Sequence, residues 1–383
     1  MRILNEQKLR KLLNEKLQGS LASRRLCGAQ LAIRQNGKLL FDAAVGYQNY
    51  MTREPLRENA VYRLASMTKP VTGVAALIAL ERGWFDLNDK VEDHLPQFAD
   101  MMVGRLEGDR FVPDHRAHQP LRIWHLLSHC SGLLAQTPEG MQLLDAAPAS
   151  SFTSIQAATD HAVSQPLVFD PTEATAYSGY AAFDTVARII EQKSGLNYAE
   201  FLRRNIFEPL SMYDTTFCPT QEQWDRMIVM SGRAEGVGAI NIDMGRHIFE
   251  AFPLEYFCAG AGLAGTIRDY GIFAEMLRCR GTYGGKKIFS SELMDEYTKS
   301  RVPASTPGRS PSSGWGLGVR VVDAADTLPI GTFGWSGAYG THFWVDPENE
   351  ITVVFMRNSH YDSGGCGSMG LRLEKYVMSC LED

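Results

Sequence analysis

Ser66 and Lys69 stand three residues apart in YRLASMTKPVTG, residues 62–73, next to the apolar run that begins at Val71 and ends at Leu80. On a helix that offset sets both side chains on one face, where a hydroxyl and an amine can share a proton. A serine hydroxyl at its ordinary pKa is a weak nucleophile, and a neighbouring base is what activates it. The pair is therefore the minimum equipment for nucleophilic catalysis by serine. Ordinary Ser and Lys usage also produces such spacings by chance, so the other chemistry-bearing residues decide its weight.

Three further patterns compete with it. His125 and His129 in HLLSH lie one helical turn apart, as zinc-binding pairs do, but the segment lacks the Glu of HExxH and an obvious third ligand, so no metal is expected there. GCGSMG, residues 365–370, matches GxGxxG after a strand pattern. The chain ends too soon afterwards for a βαβ unit or a ribose-binding acid, which predicts a glycine-rich turn instead. GWSGA around Ser336 approaches a nucleophile elbow, with Asp346 and His360 following in the order used by α/β-hydrolases. Its fifth position is Ala338 rather than Gly, and the three residues crowd into one short stretch instead of spreading over a parallel sheet.

The elements that must position these residues are legible in outline. The N-terminal stretch MRILNEQKLRKLLNEKLQGS carries a helical stripe of Leu9, Leu12, Leu13 and Leu17. AQLAIRQ and KLLFDAAVGY flank Asn36 and Gly37, a hairpin signal because both residues tolerate the positive φ of a tight turn. From Ser66 to about Phe217 the pattern is helical, in TGVAALIALERG, RIWHLLSH, SIQAATDHAVSQ and YAAFDTVARIIEQKSG, with Gly195 as a helix stop. The last third returns to strands in WGLGVRVV, GTFGWSG, THFWVDP and ITVVFMRN, and LRLEKYVMSCLE closes the chain as a helix. PASTPGRSPSSG, residues 303–314, reads as an exposed loop. The expectation is an α/β (α+β) protein with one sheet made from both ends of the chain, residues 1–72 and 250–383, and a mostly helical subdomain, residues 73–249, inserted between them.

Composition narrows the function classes. A chain of 383 residues with 44% hydrophobic residues can bury a large core. Its 38 Lys and Arg against 44 Asp and Glu give a net charge of -6 without long blocks of either sign, which argues against nucleic-acid binding. The apolar run ending at Leu80 is too short to cross a bilayer, and no signal-peptide pattern precedes the first helix, so no membrane partner is expected. Seven cysteines, at 27, 130, 218, 258, 279, 366 and 380, show no CxxC spacing and point to reduced thiols in a cytoplasmic protein.

Taken in order, the segments resemble the class C β-lactamase and penicillin-binding-protein-like serine hydrolase superfamily, particularly its family VIII carboxylesterases. SMTK matches SxxK, RIWHLLSHCSGL resembles a structural LLxHTSGL segment, and YSG at 177–179 takes the place of YxN. AGAGLAGTIRDYGIFAEML and GWGLGV resemble later family segments, and GWSGAYGTHFWVDP matches the strand carrying the KTG or HTG box. The resemblance covers about residues 25–358 and implies a β-lactamase-like fold, a central antiparallel sheet flanked by helices.

It further implies Ser66 as nucleophile, Lys69 and Tyr177 as the proton-sharing groups, and the backbone N–H groups of Ser66 and Ala338 as the oxyanion hole. Trp335, Ser336, Gly337, Gly179 and Tyr339 become the expected substrate contacts, with Gly337 leaving room for a substrate backbone. No metal and no cofactor enter this chemistry. Two departures bear on substrate: Trp335 stands where penicillin-recognising members have Lys or His, and Gly179 where YxN has Asn. Trp cannot pair with a β-lactam carboxylate. Together they favour an apolar ester over a β-lactam. A β-lactamase or D-amino-acid peptidase using the same site, an acyltransferase and a non-catalytic binding member of the superfamily are the remaining alternatives.

Overall fold

The computed structural model of the chain describes residues 1–23, 25–147, 151–234, 238–242, 255–360 and 368–382. Along the chain, helix α1 (Glu6–Ala22) precedes strands β1 (Gly28–Gln35), β2 (Lys38–Asn49) and β3 (Glu54–Pro55), and helix α2 (Thr68–Glu81) follows. A hairpin of β4 (Met102–Glu107) and β5 (Arg110–Arg116) comes next, then helices α3 (Ala181–Ser194) and α4 (Ile267–Arg278). Strands β6 (Ser313–Trp315), β7 (Arg320–Val322), β8 (Phe333–Ser336), β9 (His342–Asp346) and β10 (Ile351–Met356) lead to helix α5 (Ser368–Met378).

Eight strands form one antiparallel sheet in the order β6-β7-β8-β9-β10-β1-β2-β3. The long chain closure β10-β1 joins the two ends of the sequence, with Val353 opposite Ile33 and Val354 opposite Ala32. Asn36 at φ 49° and Gly37 at φ 75° make the β1-β2 turn, the left-handed pair that matches strand twist. Leu31, Ile33, Phe41, Trp344, Val353 and Phe355 point to one face and pack with Leu9, Leu13 and Leu17 of α1 and Leu373 and Val377 of α5. Phe333, Phe343, Val345, Val354 and Met356 point to the other, into the larger core shared with α2, α3 and α4. Each buried leucine contributes about 1.5–3 kcal/mol, enough to fix α1 on the sheet with three.

Several expectations change. The middle of the chain is not helical throughout: β4-β5 and a second hairpin, Ser231–Ala234 with Gly238–Asn241, interrupt it. MVGRLEGDRFVPDHR hides its strands because it is mostly polar and exposed, leaving little alternation to read. WGLGVRVV is not one strand. It breaks after Trp315, where Gly318 adopts φ 78° and gives its N–H to Leu127 O at 2.9 Å. The closing helix ends at Met378, and Leu381–Glu382 pairs with Ile3–Leu4 instead. Residues 365–367 of GCGSMG lie outside the described residues, while 368–370 begin α5. Cys27, Cys130, Cys218, Cys258, Cys279 and Cys380 are free thiols. Among the described residues no helix is long and apolar enough to cross a membrane.

Candidate active site

Ser66 sits in a single 3-10 turn, Ala65–Met67, that feeds directly into α2, and Lys69 occupies the first turn of that helix. Ala65 holds φ 48°, a left-handed conformation that costs a non-glycine residue energy and is retained only where surrounding contacts over-determine it. Here those contacts are visible. Thr68 Oγ1 donates to Ala65 O at 2.7 Å and accepts from Leu263 N–H at 3.1 Å, and the Tyr270 hydroxyl donates to Met67 O at 2.8 Å. Pro70 has no N–H to offer its own helix, and the Tyr297 hydroxyl caps its carbonyl at 2.9 Å.

Lys69 is fully buried. Its Nζ lies 2.5 Å from Gly179 O, 2.8 Å from Gly260 O and 3.5 Å from Ser66 Oγ. Two carbonyls and one hydroxyl thus surround the amine. The rings of Tyr177 and Phe183 cover it, their centroids 4.7 and 5.1 Å from Nζ. Tyr177 OH accepts from Trp335 Nε1 at 3.2 Å. Ser66, Lys69, Tyr177, Gly179 and Trp335, drawn from three separate parts of the sequence, therefore meet in one place.

What holds Tyr177 there is the segment the sequence reading treated as structural. Ala176 N–H donates to His129 O, Gln136 N–H to Tyr177 O, and the Ser178 hydroxyl to Leu133 O. His129 is buried, takes φ 56°, and packs against the Tyr177 ring at 4.5 Å with the two planes tilted by 32°. Its Nδ1 accepts from Ser178 N–H at 3.0 Å, which leaves the ring proton on Nε2. Burial, and then the Lys69 charge, hold His129 well below the usual imidazole pKa, so it is a neutral packing partner. His125 Nδ1 instead accepts from Arg122 N–H at 3.1 Å, so the HLLSH histidines serve two separate backbone groups.

Gly260 supplies the second carbonyl, and its own place is held by Asp184 on α3. Asp184 accepts from Ala259 N–H at 2.8 Å and from the Tyr256 hydroxyl at 2.5 Å. Its burial pushes the carboxyl up to about 7, against the opposing pull of those hydrogen bonds and of Lys69. A Cβ on Gly260 would meet Gly179 O at 2.5 Å, which explains why the residue is glycine. Sequence reasoning missed Gly260, Asp184 and Trp315, whose ring lies edge-on to Trp335 at 4.5 Å.

The far wall comes from β8. Trp335 lies opposite Phe343 and faces the site, whereas Ser336 lies opposite His342 and points to the other face, since neighbours along a strand alternate. The assignment of Ser336 to substrate contact is corrected accordingly. It is buried, its Oγ 2.7 Å from His342 Nδ1, and His342 Nε2 lies 3.2 Å from Glu374 Oε1 on α5. Asp346 instead binds the N–H groups of Glu348 and Asn349, and His360 packs edge-on against Tyr339 at 5.5 Å, so neither joins Ser336 in a triad.

Tyr339 has that packing role and a neighbouring Arg63. Gly337 also has a packing reason to be glycine. A Cβ there would lie 2.2 Å from Leu64 O and 2.1 Å from Thr341 Oγ1, so the protein's own backbone takes the space. That approach brings Ala338, which is exposed, alongside the turn carrying Ser66. Gly179 contributes its carbonyl to Lys69, and a Cβ at 179 would meet the Gln136 amide nitrogen at 3.4 Å.

A family model described as Beta-lactamase matches residues 13–367. The chain is 27% identical to Esterase EstB of Burkholderia gladioli over 377 residues, 94% of this chain and 92% of that one. It is 24% identical to Acyltransferase calJ of Penicillium decumbens, over 83% and 81% of the two chains. The solved structure of EstCE1, described as a hydrolase with promiscuous acyltransferase activity, superposes with a TM-score of 0.80 at 24% identity, covering 98% of each chain.

Proposed function

Since the chain belongs to the beta-lactamase family and is a serine hydrolase, we propose that it cleaves small carboxylic esters through an acyl-enzyme on Ser66. The observation that carries this reading is the environment of Lys69 Nζ, between two carbonyls and Ser66 Oγ. A neutral amine has two N–H bonds and one lone pair. Gly179 O and Gly260 O each accept one N–H bond, and the third side of the amine meets Ser66 Oγ, so whenever the amine is deprotonated its lone pair faces the Ser66 proton. Ser66 Oγ then attacks the ester carbonyl carbon, forming a C–O bond while the carbonyl π electrons move to oxygen. The backbone N–H groups of Ser66 and Ala338 receive that oxyanion.

Collapse re-forms the carbonyl and expels the alcohol, which takes the proton held by Lys69 and Tyr177. Water repeats the sequence on the acyl-enzyme, releasing the acid and free Ser66. The Trp335 indole N–H, bonded to the Tyr177 oxygen, fixes the direction of that hydroxyl between the two steps. Trp315 and Trp335 form an aromatic wall, and an indole at position 335 offers no positive charge to a substrate carboxylate, which favours an apolar ester over a β-lactam. The esterase name of the Burkholderia gladioli relative supports the same choice. The free thiols fit a reducing compartment, the cytoplasm.

The test is intact-protein and peptide mass spectrometry after brief exposure to p-nitrophenyl esters. An acyl adduct on the peptide containing Ser66 is expected. An adduct elsewhere, or turnover without any adduct in a quenched burst, sinks the reading. Acyl transfer to an alcohol is a second reading, supported by the acyltransferase name of the Penicillium decumbens relative. Ester product formed with an added alcohol, in excess of free acid, would favour it.

A further inference from the structure

Away from Ser66, three donor side chains converge where the β4-β5 hairpin meets the segment that leads to Tyr177. His115 Nε2 lies 2.9 Å and His118 Nδ1 3.2 Å from the same oxygen, Asp170 Oδ2, and all three donor atoms lie within 4.8 Å of one another. Asp170 is buried and held in place by His118 N–H, which donates to Oδ1 at 2.7 Å. The two imidazole rings are stacked at 4.8 Å.

The proton inventory of this cluster is unusual. His115 Nδ1 lies 3.0 Å from Asp114 Oδ2. When that nitrogen carries the ring proton, neutral His115 turns a bare Nε2 lone pair toward a carboxylate oxygen, which is also an acceptor. The contact is attractive only with a second proton on the ring or with a cation between the two atoms. An imidazole whose far nitrogen donates to a carboxylate, and whose near nitrogen faces a second donor set, is the arrangement that orients histidine ligands. Charge points the same way. Asp114, Asp170 and Glu173 place three carboxylates around the cluster against one guanidinium, Arg105, bonded to Asp114 at 2.7 Å, and Glu173 reaches within 4.0 Å of His118 Nδ1.

We propose that His115, His118 and Asp170 form a surface zinc site, with Glu173 or water completing four ligands. Zinc bonds to nitrogen and carboxylate oxygen are about 2.0–2.2 Å, so donors now 2.9 to 3.2 Å apart have to spread only slightly. On binding, the protons that bridge the imidazoles to Asp170 leave to solvent, and their lone pairs go to the metal. The site is structural rather than catalytic. Leu167 already exchanges backbone hydrogen bonds with Met102 and Gly104, and Thr172 N–H donates to Cys130 O. Zinc across His115 and Asp170 would tie the hairpin to the segment running from Leu167 to Tyr177. The pattern is hidden in the sequence because Asp170 lies 52 residues after His118.

The experiment uses untagged full-length protein stripped with chelator, titrated with zinc chloride in a calorimeter at pH 7.5 and melted with and without the metal. One zinc per chain and a higher Tm are expected, with unchanged ester turnover at 25 °C. His118→Ala and His115→Ala, both at solvent-accessible positions, should weaken binding by more than the ~10–100-fold typical of losing an outer partner, and Asp114→Asn by about tenfold. A wild-type chain that takes up no zinc, or variants at His115 and His118 that bind it as tightly as wild type, overturns the site. Zinc uptake accompanied by loss of turnover on chelation overturns its structural assignment.

Discussion

Lys69 Nζ has three polar neighbours, and removing the side chain affects each of them differently. Lys69→Ala leaves the half-buried Gly179 O and the buried Gly260 O without their donor, the latter at about 1–3 kcal/mol, so a lower Tm is expected together with loss of the acylation burst. Ser66→Ala removes one oxygen, keeps helix propensity, and should retain the wild-type Tm while turnover disappears. Substantial ester hydrolysis by a folded Ser66→Ala protein, measured with p-nitrophenyl acetate, would move the nucleophile elsewhere. Specificity is argued at the same scale. Trp335→Lys places a cation beside the site, where a charge-assisted hydrogen bond to a substrate carboxylate contributes about 1.5–3 kcal/mol. The kcat/KM ratio of a cephalosporin over a short ester should rise roughly tenfold to hundredfold. Gly179→Asn should add a smaller gain, because its contact is neutral and its Cβ must share space with the Gln136 amide. A flat ratio in folded variants would remove these positions from the specificity argument.

Between residues and site stand the elements, and their close approaches are set by glycines. Gly337 lets the end of β8 lie against Leu64, two residues before Ser66, and Gly73 lets α2 approach the Leu317 carbonyl, which a Cβ would meet at 2.1 Å. Gly337→Ala must push β8 away from the Ser66 turn. Overpacking of this kind costs about 1–3 kcal/mol, so a Tm drop is expected together with a fall in kcat that exceeds any change in KM, since the proposed oxyanion donors belong to the two elements being separated. Equal kcat in wild type and variant, from steady-state assays on folded protein, would show that this approach does not position the reaction.

Across the whole molecule, Asp184 links α3 to the Gly260 loop and gives stability a pH dependence. Its carboxyl is raised to about 7 from an ordinary 3.8, so between those values the folded chain keeps a proton that the unfolded chain has lost. Stability from this group is full below about pH 4 and falls as pH rises toward 7. Asn at 184 offers one acceptor to Ala259 N–H and one donor to the Tyr256 oxygen, like the protonated acid. Asp184→Asn should therefore flatten the fall in Tm between pH 4 and 7 relative to wild type, as scanning fluorimetry across that range would reveal. An identical slope in both proteins would mean that Asp184 titrates normally. Local pattern determined the β1-β2 hairpin, the stripe of α1, the strands β8 to β10 and the Ser66–Lys69 pair, because each follows from neighbours a few residues apart. It did not expose the β4-β5 hairpin, whose exposed polar strands carry no alternation, and the break after Trp315 was missed because it answers a distant Leu127 carbonyl. Only the tertiary structure decided which carbonyls hold Lys69, that Ser336 turns away from the site, and why position 337 is glycine. Those outcomes depend on sheet register and on backbone contacts between segments far apart in the chain, and no spacing along one segment encodes them.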